Sequence, residues 1–186
     1  MKVNTRRLLM LFVAALVLFM TGVSAAQAAS PHFKRNGEPV CTVTASGTSS
    51  YSVKCDAVLA GLGNADLVAN LSVSGTAVYQ CKNQGGNVAP GQNKVLVGPA
   101  TAPTFIDSDA IKNGNLTLVT NPAILSAPGT VTAAQAGCAN NNWTGVNPVL
   151  TVTSINLVIE QPPGTEIFNC SASDPNGLSS PVALTC

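Results

Sequence analysis

At 186 residues, with nine Lys and Arg against eight Asp and Glu, the chain is long enough for one domain with a sizeable core and is nearly neutral. Loss of the first 28 residues, which hold Lys2, Arg6 and Arg7 and no acid, leaves six bases against eight acids, a net charge of −2. That balance argues against nucleic acid or anionic membrane as a partner, because both demand clustered Lys and Arg.

The three early bases precede an apolar run from Leu8 to Met20 and the small-residue site Ala26-Gln27-Ala28. This is the layout of a secretory signal peptide over residues 1–28, and the run is shorter than the roughly 20 apolar residues of a membrane span. The expectation is a secreted, extracellular protein with no membrane insertion after cleavage. Residues 29–39 are short of apolar positions and read as a flexible N-terminal arm holding the sole histidine, His32. Residues 40–186 read as a single domain.

Cys41, Val43 and Ala45 alternate with threonines, and Tyr51, Val53, Cys55, Ala57 and Leu59 alternate after a turn at Gly47–Ser49. Gly61-Leu62-Gly63-Asn64 turns the chain into its longest pattern. From Ala65 to Cys81 the odd positions are apolar or small, and on the polar even face only Val68 and Val78 intrude. The two-residue period predicts a long half-buried strand with a bend or bulge at Gly75. Asn83 to Asn93 reads as a loop rich in amides and glycine, Lys94–Val97 as a short strand, and 103–115 as irregular. Leu116–Val119 reads as a strand, and Ala133–Ala139 as a helical turn. Val149–Glu160 is strand-like, but its apolar positions slip from even to odd, which predicts a bulge near Ser154. The segments around Phe168–Ala172 and Val182–Cys186 form the last strands.

Six cysteines without a C-x-x-C pair fit disulfides in an oxidising compartment and offer no zinc site. A symmetric hairpin sets Cys41 opposite Cys55, and a second sets Cys170 near Cys186, which leaves Cys81 with Cys138. Exchange of partners between the two terminal hairpins is the rival among the ~15 possible pairings. Many short strands with almost no helix predict an all-β protein: an antiparallel β-sandwich of immunoglobulin-like, Greek-key architecture, stapled by disulfides.

The loops Gly61-Leu62-Gly63-Asn64, Cys81-x-Asn83-x-Gly85-Gly86-Asn87-x-Ala89-Pro90-Gly91-Gln92-Asn93 and Gly137-Cys138-x-Asn140-x-x-Trp143-Thr144 together resemble those of small secreted bacterial β-rich proteins. The resemblance implies export and a β fold, and it brings no activity with it.

Candidates for chemistry are few. A Ser-His-Asp or Cys-His site needs a held imidazole, and His32 stands alone near the arm. The eight acids of the mature chain fall at strand ends, turns and wet strand faces rather than as a poised pair. Asp107 and Asp109 form a weak calcium candidate that lacks the EF-hand spacing. The best ligand-binding candidate is Trp143 with Asn140, Asn141 and Asn142, facing Asn87 and Gln92 across a Cys81–Cys138 bridge: an indole to stack on, and amides to hydrogen-bond. The sequence thus points to a non-catalytic extracellular binding or structural module without cofactor, its ligand an unknown extracellular or cell-envelope component. The alternative is a small secreted hydrolase, or an inhibitor presenting the loop Gln84–Gln92.

Overall fold

The computed structural model describes residues 30–186, so the signal-peptide segment lies outside the described residues. The chain builds two antiparallel sheets. The first is centred on β3 (Ser50–Ala60), with β1 (His32–Phe33) and β2 (Val40–Ala45) along one edge and β6 (Leu116–Val119) and β7 (Ala123–Ser126) along the other. The short β11 (Val182–Ala183) pairs outside β2. In the second sheet β4 (Leu67–Lys82) lies between β5 (Val88–Ile106) and β9 (Thr144–Glu160). Two strands, β8 (Thr130–Thr132) and β10 (Glu166–Ser173), share the far edge of β9. The only α-helix among the described residues is a single turn, α1 (Ala133–Ala136).

Alternation explains the core. Leu67, Ala69, Leu71, Val73, Ala77, Tyr79 and Cys81 of β4 are all buried, and they join Val53, Cys55 and Leu59 of β3 and Leu150, Ile155, Leu157 and Ile159 of β9 in one cluster. Each such aliphatic side chain contributes about 1.5–3 kcal/mol relative to exposure. The slip in β9 occurs where Ser74 pairs Ser154 and Gly75 pairs Val152, so Thr153 is the extra residue. On its other side β5 also gains a residue, since Val73 pairs Ala100 and Gly75 pairs Val97. Gly75 therefore lies between two bulges. A Cβ there would collide with the Thr151 carbonyl oxygen and lie 3.1 Å from Leu125 Cδ2.

The disulfides join Cys41 to Cys55, Cys81 to Cys138 and Cys170 to Cys186. The first crosslinks register partners of β2 and β3. The third runs from β10 in the second sheet to the residue at 186, beyond β11 of the first. It bridges the two sheets at one side, where Phe33 of β1 also meets Phe168 of β10 with ring centroids 4.3 Å apart.

Sequence expectations are corrected in two regions. Residues 29–39 do not form a loose arm where they are described. His32–Phe33 pairs with Leu59–Ala60, Lys34 N–H donates to Val58 O (2.9 Å), and Val58 N–H donates to Gly37 O (2.8 Å). From Val88 to Ile106 the expected loop, short strand and irregular connection are instead one strand, β5, broken only by register shifts, while 83–87 turns and 107–115 is irregular as expected. Pro90, Pro99 and Pro103 read as turn signals, yet an edge strand tolerates them because its outward N–H groups face solvent. β7 and β8 were not anticipated, being too short to show a period, whereas β11 lies within the expected last strand at Val182–Cys186.

Candidate functional site

The amide-rich end of the fold is assembled around α1. Thr132 caps it: Gln135 N–H donates to Thr132 Oγ1 (3.3 Å), and Thr132 N–H donates to Gln135 Oε1 (3.0 Å). Gly137 ends the turn in the left-handed region at φ 71°, and Cys138 N–H returns to Ala133 O at 2.8 Å. β5 lies close against this turn because Gly91 has no side chain. A Cβ there would fall 2.5 Å from Tyr79 O and 2.6 Å from Ala136 O. Asn93 Nδ2 donates to Ala134 O (3.1 Å) and fastens the contact.

The result is a cleft of about 300 Å³ whose walls are Cys81, Ala89, Pro90, Gln92, Gly137, Cys138, Ala139 and Trp143. The Cys81–Cys138 bridge ties its two sides together. Trp143 is half-buried, with part of its surface against the core and part in the cleft, while Gln92 is exposed. No charged residue occurs from Asn113 to Ile159, and none lines the cleft. Such a site suits an uncharged ligand held by stacking and amide hydrogen bonds.

Of the six residues singled out in the sequence, only Trp143 and Gln92 line this cleft. Asn140 is engaged in its own turn, its Oδ1 accepting from Asn142 N–H at 3.0 Å and its carbonyl from Trp143 N–H at 3.3 Å. Asn141 and Asn142 are exposed beside it, outside the lining. Asn87 closes the β4–β5 hairpin, its N–H donating to Asn83 Oδ1 at 2.9 Å. That hairpin turn spans 83–87, so most of the proposed inhibitor loop Gln84–Gln92 is strand.

Asp107 and Asp109 are exposed around a 3-10 turn at Ser108–Ala110, and the carboxylate that holds this turn is Asp66, whose Oδ1 accepts from Ser108 N–H at 2.8 Å. Among the described residues no three His, Cys, Asp or Glu side chains gather where a metal could sit. His32 Nδ1 bonds the Ser30 carbonyl at 2.9 Å.

Two features escaped the sequence reading. A second cleft of about 280 Å³ opens on the outer face of the second sheet, with Val78, Val88 and Val149 beside Gln80, Pro90 and Asn147. Its one visible trace was Val78, an apolar intruder on a polar strand face. The other is Gln161, buried to 8 % exposure, which holds the Gly61–Asn64 turn. Its Oε1 accepts from Gly63 N–H (2.9 Å), and its Nε2 donates to Gly63 O (3.0 Å) and Ala65 O (2.7 Å).

No protein-family model, no curated protein and no solved structure matches this chain.

Proposed function

We propose that the chain is a secreted, non-catalytic β-sandwich of immunoglobulin-like, Greek-key layout, a binding module that takes a neutral ligand in the Trp143 cleft. Three disulfides are consistent with an extracellular location, and among the described residues no helix is long and apolar enough to cross a membrane. The observation that carries the reading is the meeting of Trp143 and Gln92 in an uncharged cleft. The cleft walls present no acid–base side chain: the two cysteines are bonded to each other, and the rest do not titrate. General acid–base catalysis needs such a group within reach of the substrate, which is the argument against a hydrolase.

The test is calorimetry of the oxidised mature protein against purified neutral and charged oligosaccharides of equal length. Neutral members bind, and Gln92→Ala and Trp143→Ala each weaken them, the latter by roughly tenfold or more. Trp143→Ala stays folded because the indole is only half-buried. Binding restricted to charged members, or unaffected by both substitutions, overturns the reading.

A further inference from the structure

The second cleft shares Ala89 and Pro90 with the first, so a single strand separates them. That strand is the outer edge of its sheet. Pro90 has no N–H, and Pro99 and Pro103 remove two more donors from the same strand, so a peptide adding itself as a further strand would meet gaps in the main-chain ladder.

The cleft itself has two chemical parts. Val78, Val88 and Val149 stand 41 %, 50 % and 56 % exposed and form an apolar floor on the outer face of the sheet. Beside them Asn147, held in the left-handed region at φ 50° next to a register shift, donates from Nδ2 to Gln80 Oε1 at 2.8 Å. Neither side chain makes another hydrogen bond among the described residues. This leaves Asn147 Oδ1 as an acceptor and Gln80 Nε2 as a donor, side by side. Turning both amides over leaves the same combination of one donor and one acceptor.

An acceptor and a donor next to a small apolar floor are the complement of an acetamido group: its N–H, its carbonyl and its methyl. We propose that this cleft is a companion subsite to the Trp143 cleft, and that the ligand spanning both is a neutral, N-acetylated hexosamine polymer crossing the Ala89–Pro90 edge. The inference rests on reading the Trp143 cleft as a binding site. There the indole stacks on a sugar ring, while Gln80, Asn147 and the valines read the acetamido substituent of another ring. No charged side chain lines either cleft, and the lysines flanking the second, Lys94 and Lys82, which pair with Val78 and Val88, disfavour the free, cationic amine against the acetylated one.

The experiment compares binding of the β-1,4-linked N-acetylglucosamine hexamer, cellohexaose and the deacetylated glucosamine hexamer to the oxidised mature protein. Asn147→Gly, which keeps the backbone conformation open, and Val149→Thr on an exposed strand position serve as variants, with melting temperature monitored. The acetylated hexamer binds at least roughly tenfold tighter than either relative, and each variant removes much of that preference without lowering the melting temperature appreciably. Equal affinity for cellohexaose, with both sugars lost in Trp143→Ala, overturns the acetamido subsite and leaves the first cleft standing. An uncharged alanine-rich peptide that displaces the hexamer shows the occupant to be a peptide and overturns the inference. If neither neutral hexasaccharide binds, the inference also falls, while the Trp143 cleft is judged on the wider panel above.

Discussion

Single residues set local stability here through atoms far apart in sequence. Gln161 meets the turn 98 positions earlier with three hydrogen bonds, and Gln161→Ala leaves one N–H and two carbonyls without their partner. The expected loss is about 2–3 kcal/mol in urea unfolding. Nothing in the sequence pairs Gln161 with Gly63, because a side-chain clamp has no period. Tyr79 is buried, its hydroxyl donating to Pro128 O at 2.9 Å, and desolvation raises its pKa. The sign follows: the unfolded chain sheds this proton from about pH 10 upward while the folded chain still holds it. The contribution is therefore complete below that pH and declines as pH climbs through the folded-state value. Tyr79→Phe costs about 1 kcal/mol at neutral pH. It also flattens the alkaline fall of the unfolding midpoint relative to wild type, so parallel curves from pH 9 to 11 would refute the assignment.

At the scale of elements, the strands that alternate were readable and the edge strand was not. The odd positions of β4 are buried from Leu67 to Cys81 while the even ones after Val68 are at least partly exposed, so parity alone places its core residues. β5 is paired on one side only and carries three prolines and two glycines, a composition that mimics a loop. The second cleft stayed hidden for a related reason: the period places the strand at Val149–Glu160, yet β9 begins at Thr144 and carries Asn147 at a register shift. Gly75 tests the double bulge. Gly75→Ala forces the β9 backbone or Leu125 to move, and a loss of at least about 1–3 kcal/mol is expected by chemical denaturation. A neutral effect would mean that the sheet yields at this point.

For the whole molecule, the crosslinks differ in how much chain they close. Cys41–Cys55 spans 14 positions and Cys81–Cys138 spans 57. Chain entropy then assigns about 3 kcal/mol to the first and about 4 kcal/mol to the second. Replacing each pair by alanines should rank them in that order by unfolding midpoint, and the reverse order would show that the unfolded chain retains structure around the longer loop. The two ends of the fold also differ in character. Asp66, Asp107, Asp109, Glu160 and Glu166 cluster around the turn held by Gln161, whereas the walls of the two clefts are free of charge.

β4 runs the length of the second sheet, 16 residues or about 50 Å at strand rise. Ser30 lies against Gly61 near its beginning, and Cys81 lies at its close. The two clefts therefore lie near the close of this strand, far along it from Ser30.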